Sequence, residues 1–207
     1  MTTTGFTDPR PVYVRATEQA AALIGSVRPA DLARPTPCSE YDVRALLGHV
    51  VGGTLRIAVV GEGGDGLAVV PALEGVEDDG WAAAYDEVRT RALKAWESDE
   101  RMTTPARVPW GEVPGHAALA GYVMEIVTHT WDLVEGLGRP CELDPDLAEF
   151  ALGIARAVLP DSRPRDVASP AAADREPPFR PRRPAPGDAG PYEELAAWLG
   201  REALDRS

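Results

Sequence analysis

The sequence predicts an all-α protein built as a helix bundle, and three observations predict it. Apolar residues recur at helical spacing through several long segments, Pro- and Gly-rich breaks separate those segments, and alternating strand patterns are almost absent. The chain has 207 residues, 44% hydrophobic and 26% charged, so it can bury a full core as one domain with an appended element.

The first helix is expected over Pro11 to Val27, with Val12, Val14, Ala20, Ala21, Leu23 and Ile24 on its stripe and Pro29 ending it. After the rigid connector Pro35-Thr36-Pro37, Ser39 stands at an N-cap position, with Glu40 and Asp42 in the first turn. Val43, Leu46, Leu47, Val50 and Ile57 then mark a second helix, which the Gly-rich run 61–66 terminates. That run lacks the Lys-Ser/Thr of a phosphate loop. A third helix should span about Asp79 to Ser98 through Trp81, Tyr85, Val88, Ala92 and Trp96. Residues 104–115 hold Pro105, Pro109 and Pro114 and read as extended and loop-like. A fourth helix covers about His116 to Leu137, stopped by Gly136 and Gly138-Arg139-Pro140, and a fifth opens at Asp144-Pro145 and runs to about Leu159. Residues 161–189, rich in Pro and Arg, read as a loop or linker, and Pro191 to Leu199 as a short amphipathic helix that docks back. The organisation expected is therefore a helix bundle at 1–160, a linker at 161–189 and a C-terminal helix at 190–207.

Composition narrows the function. A net charge of −12 argues against nucleic acid and anionic membrane surfaces as partners. Met1 to Thr7 has no basic start followed by an apolar run, and no apolar stretch approaches the roughly 18 residues of a membrane span, so a cytoplasmic location is expected. Cys38 and Cys141 are far apart and read as reduced thiols packed near helix ends. Lys94 is the only lysine and asparagine is absent, a bias that suggests a GC-rich genome.

The chemistry concentrates on the fourth helix. Glu125 and His129 are four apart, so their side chains stack on one helix face and can aim a carboxylate and an imidazole at one divalent metal. His49, on the second helix, flanks its own apolar stripe and could complete a three-ligand site with an open position, the arrangement of a catalytic metal. The competing reading is a surface Glu–His pair worth about 0.2–0.5 kcal/mol beside an unrelated rim histidine. Asp132, three residues after His129, could accept a hydrogen bond from its free imidazole nitrogen, or face solvent. Tyr122 shares the Glu125 flank and could face the cavity as a hydrogen-bond donor, with rim packing as the alternative. Trp131 falls on the opposite flank and reads as packing. His116 lies nine residues before Glu125, roughly 13 Å of helix rise, too far to join the same site. Arg180, Arg182 and Arg183 read as a solvated linker patch, or as contacts to an anionic substrate.

The segment from Pro37 to Gly53 resembles the start of the metal-bearing segment in actinobacterial DinB-like proteins, relatives of the mycothiol-dependent maleylpyruvate isomerase N-terminal domain. Met124 to Leu133 resembles that family's helix-borne Glu/Asp-x-x-x-His-x-Trp-Asp-Leu signature, and the loop 109–115 and the stretch Ala196 to Arg201 are similar to it as well. The resemblance covers about residues 10–160 and 190–202. It implies an up-down four-helix bundle of the DinB type with additional C-terminal helices, holding one divalent metal, zinc or nickel, through His49, Glu125 and His129. It further implies mycothiol as cosubstrate and a small-molecule electrophile as substrate; a homodimer is one assembly the sequence leaves open. The function expected is a metal-dependent thiol transferase or isomerase that activates a thiolate. The alternatives are a biosynthetic cyclase or hydrolase using the same cavity, with or without metal, and a non-catalytic metal-binding stress or interaction module. In maleylpyruvate isomerase a further C-terminal domain helps form the active site, whereas only about 45 residues follow the bundle here.

Overall fold

A computed structural model describes residues 8–159 and 180–204, and among these it contains seven α-helices, two short 3-10 turns and one β-hairpin. The helices are α1 (Arg10–Ile24), α2 (Val43–Gly61), α3 (Trp81–Ala95), α4 (Asp99–Thr103), α5 (Gly115–Leu137), α6 (Pro145–Val158) and α7 (Pro191–Trp198). The all-α bundle expected from periodicity is the one found, and the mostly helical fold agrees with the DinB type that the resemblance implies.

Four long helices form the bundle. The main packing pairs are α1 with α3 and α5, and α2 with α3 and α5, which closes a ring and places α1 across the bundle from α2. Each helix buries its apolar stripe inward: Tyr13, Ala16, Ala20 and Leu23 from α1, Leu46, Leu47, Val51 and Ile57 from α2, and Leu119, Val123 and Val127 from α5. Trp96, just past α3, is fully buried and satisfies its indole N–H on the Ile57 carbonyl at 2.9 Å. Helix α6 packs on α5 and α1, and α7 packs on α6 and α5.

Several local expectations differ from the structure. Asp42, not Ser39, caps α2: its carboxylate accepts the Ala45 amide at 2.8 Å, because residues 36–41 form a tight turn in which Thr36 Oγ1 donates to the Tyr41 carbonyl at 2.7 Å. The third helix ends at Ala95, and Ser98 instead caps the separate α4 by accepting from the Arg101 amide. The extended loop is a hairpin, β1 (Pro105–Val108) against antiparallel β2 (Gly111–Pro114), with Pro109-Trp110 at its tip. Cys38 is partly buried, but Cys141 is exposed in the α5–α6 connection and does not pack.

Helix α2, at 19 residues with a mean hydropathy of 1.5, does reach the length and composition of a membrane span. About two-thirds of it (67%) is buried between α3 and α5, so its apolar surface is already spent on the bundle. Part of the 161–189 linker, residues 160–179, lies outside the described residues. The arginines that follow are tied to protein rather than forming a free solvated patch: Arg180 donates to Ser39 Oγ at 2.6 Å, Arg182 stacks 4.8 Å over the Trp198 ring, and Arg183 pairs with Glu202 at 2.7 Å.

Candidate metal centre

The site sits on the seam between α2 and α5. His49 Nε2 lies 3.7 Å from Glu125 Oε1, and the His49 and His129 rings meet edge-on with centroids 4.8 Å apart. One ligand atom from each of the three residues falls within 4.8 Å of the others. Donors around a tetrahedral zinc stand about 3.4 Å apart, since its bonds are about 2.0–2.2 Å long. Small side-chain adjustments would bring this set to that spacing.

The hydrogen bonds select the nitrogens. His129 Nδ1 is 3.0 Å from Asp132 Oδ2, which leaves Nε2 facing the cluster. His49 Nδ1 is 3.4 Å from the Tyr41 hydroxyl, whose ring stacks on the imidazole at 5.1 Å, and again Nε2 is turned inward. Asp132 has no exposed side-chain surface. Its carboxylate is held on the far side by Arg201 Nε, at 3.0 and 3.1 Å from its two oxygens. A chain of contacts thus runs from the C-terminal segment through Asp132 to His129.

Electrostatics suit a cation. Burial, and then His129, push the His49 imidazole down to about 3, so it is neutral and offers its lone pair at ordinary pH. Burial raises the Glu125 carboxyl, partly countered by His129 and Arg56. Glu125 keeps 30% of its side-chain surface accessible, so the carboxylate can be reached from outside the packed core. Two imidazoles and a carboxylate make a donor set of nitrogen and oxygen that fits zinc, nickel or a similar divalent ion.

Gly53 makes the approach possible. A Cβ there would stand 3.4 Å from Glu125 Oε1, so any larger side chain on this face of α2 would displace the carboxylate.

The remaining residues singled out by the sequence fall in distinct places. Tyr122 is 1% exposed, between the rings of Trp96 (6.5 Å) and Trp110 (5.2 Å). Trp131 is buried. His116 sits at the entry of α5, its Nδ1 3.0 Å from the Met102 carbonyl, and is not part of the cluster. Sequence reasoning gave no role to Tyr41, Arg56 or Arg201. Arg56 carried a usable signal, because it follows His49 by seven residues and so shares its helix face. Arg201 carried no such signal, since its contact is made across 69 residues.

Comparison with known proteins follows the same lines. Residues 13–134 match the mycothiol maleylpyruvate isomerase N-terminal domain family. The chain is 32% identical over 194 residues to the uncharacterized proteins Rv0738 and MT0763 of Mycobacterium tuberculosis (strains H37Rv and CDC 1551), covering 94% of this chain and 98% of each relative. The crystal structures of the mycothiol-dependent maleylpyruvate isomerase and of a mutant of it superpose with a TM-score of 0.56 at 14% identity, a likeness of fold. That superposition covers 70% of this chain and 65% of the isomerase, so the match spans just under two-thirds of that enzyme's length.

Proposed function

Because the chain belongs to the mycothiol maleylpyruvate isomerase N-terminal domain family, we propose that it is a divalent-metal-dependent enzyme in which His49, Glu125 and His129 hold one ion and a low-molecular-weight thiol, mycothiol, is the cosubstrate. The observation that carries this reading is the convergence of the three ligand atoms from two facing helices, with Asp132 and Arg201 fixing His129 from behind. When bound, the ion supplies a positive centre that lowers the pKa of a thiol and makes thiolate available near neutral pH.

The chain's own residues do the rest. His49 and His129 present their Nε2 atoms, and Glu125 supplies the one negative charge of the set. Asp132 accepts the His129 Nδ1 proton, keeping that ring in a single tautomer and orientation. Tyr41, stacked on His49, limits rotation of the second ring. The thiolate sulfur then attacks a small electrophile, either adding to an activated carbon–carbon double bond or displacing a leaving group. In the first case, expulsion of the thiolate after bond rotation gives isomerisation.

The test is elemental analysis of protein purified without a metal-affinity tag, wild type beside His129→Ala, followed by conjugation assays with mycothiol and model electrophiles. Near-stoichiometric zinc or nickel in the wild type, lost in the variant, with turnover that requires added thiol, is the expected result. Metal-loaded protein that turns over substrate without thiol would replace the thiol chemistry with direct Lewis-acid chemistry. Protein that cannot be loaded at all would remove the metalloenzyme reading.

A further inference from the structure

The α2–α5 seam carries more polar chemistry than the three proposed ligands use. The two helices run antiparallel along it: His49 meets His129, Gly53 meets the Glu125 carboxylate, and Arg56, next on the same face of α2, comes level with Tyr122. Arg56 uses one terminal nitrogen on the Val69 carbonyl at 2.8 Å, but its Nε is buried and has no protein partner. The Tyr122 hydroxyl is in the same state, in a residue 1% exposed. Tyr13, on α1 and equally buried, presents a third partnerless hydroxyl into this interior. Arg56 lies one turn beyond Gly53 on α2 and Tyr122 one turn before Glu125 on α5, so both flank the same end of the seam, and the charge of Glu125 also reaches the Tyr13 hydroxyl.

Buried donors without partners are destabilising and are ordinarily satisfied by water or a ligand. Others, Trp81 and Arg89 among them, share this state, and what distinguishes these three is their position along the seam of the candidate ligands. Each of these can donate to an acceptor, and Arg56 adds positive charge. Their complement is an oxyanion. A carboxylate fits best, because a guanidinium edge and phenol hydroxyls bind its planar oxygens directionally. One helical turn, about 5 Å, separates Arg56 and Tyr122 from the level of Glu125, and about two turns, roughly 10 Å, separate them from His49 and His129. A carboxylate held here would therefore point its adjoining carbons along the seam toward the Glu125 end of the triad.

We propose that Arg56, Tyr122 and Tyr13 form a carboxylate-binding subsite that anchors a small acidic substrate beside the His49–Glu125–His129 cluster. The subsite deepens the metalloenzyme reading and rests on it only for what the anchored molecule meets next, because the donors lack partners whatever occupies the triad. Glu125 repels a carboxylate, whereas a divalent cation on the triad turns the surroundings positive. Binding is therefore tighter in the metal-loaded protein.

Isothermal titration with succinate tests this, on zinc-loaded and on chelator-treated protein, for wild type, Arg56→Gln, Arg56→Lys and Tyr122→Phe. The expected result is saturable binding by wild type, at least tenfold weaker in Arg56→Gln and a few-fold weaker in Tyr122→Phe, with zinc content unchanged in both. Arg56→Lys recovers part of the affinity. Equal affinity in wild type and Arg56→Gln would overturn the proposal, and so would absence of succinate binding by wild type, which would mean that water fills the space. If Arg56→Gln does not fold, Tyr122→Phe decides, and unchanged affinity there overturns it. If wild type holds no metal, the metalloenzyme reading fails by itself: Arg56-dependent binding by the metal-free protein then upholds the subsite, and its absence overturns it.

Discussion

Removing the Arg201 guanidinium should cost far more than removing an exposed charge. Its side chain is 8% exposed and that of Asp132 is 0% exposed, and the Nε group sits 3.0 and 3.1 Å from the two carboxylate oxygens. Replacing Arg201 with Met keeps the apolar stem but leaves a carboxylate buried with only the His129 Nδ1 hydrogen to hold it. Breaking one side of a buried ion pair costs about 3–5 kcal/mol. At about 2–4 °C of midpoint per kcal/mol for a chain of this size, that is a loss of about 6–20 °C. The measurement is thermal unfolding followed by circular dichroism in the presence of chelator, so that metal loss does not contribute. Arg107→Met is the control, because Arg107 and Asp65 are 65% and 48% exposed at 3.9 Å, and such a pair is worth about 0–1 kcal/mol. Adding Asp132→Asn to Arg201→Met removes the stranded charge, so the double variant should lose less than the two single losses together. An Arg201→Met variant within about 1 kcal/mol of wild type would refute the reasoning.

Asp132→Asn by itself should weaken zinc binding about 10–100-fold while His49 and Glu125 stay in place, measured by competition with a chromogenic chelator. Two neighbouring glycines on α2 should respond in opposite directions. Gly53→Ala meets Glu125 at an ordinary contact distance of 3.4 Å and should stabilise the helix by about 0.5–1 kcal/mol with metal retained. Gly52→Ala drives its Cβ to 2.6 Å from the Ala72 amide nitrogen and should destabilise by about 1–3 kcal/mol in urea unfolding. Asp31, 3% exposed, is held well below the usual carboxylate range first by Arg28 and also by Arg139. The unfolded chain takes up this proton near pH 4 while the folded one does not, so stability present above about pH 4 is lost as pH falls towards the folded value. Asp31→Asn should flatten that acid limb, and an unchanged slope between pH 4 and 2 would contradict the assignment.

The long helices were legible because their signals are local. Apolar spacing marked α1, α2, α3, α5 and α6 to within a few residues, and Asp144 caps α6 as its sequence position suggests, accepting from the Asp146 amide. Where local signals compete, the sequence misled: Ser39 and Asp42 are both good caps, and the turn closed by Thr36 decides for Asp42. Each strand of the hairpin is four residues long with proline at its outer end, too short for alternation to register. In the candidate site, Glu125 and His129 could be paired from spacing, His49 could be offered as a third ligand from its place flanking the stripe of its own helix, and the family resemblance then favoured the full set over the reading as a surface pair. Arg56 and Arg201 stayed unread, because their roles depend on which helices face each other and on where the chain returns after α7.

The reach of Arg201 back to Asp132 also orders events in time. During synthesis the three candidate ligands are made well before Arg201, and closing a 69-residue loop carries an entropic cost that the buried pair must offset. The bundle can therefore collapse first, with Asp132 still hydrated and His129 free to turn. Only docking of α7 and the residues after it locks that ring. On that order the contact behind His129 would be completed after the bundle has closed, with α7 the element that carries Arg201 back to it.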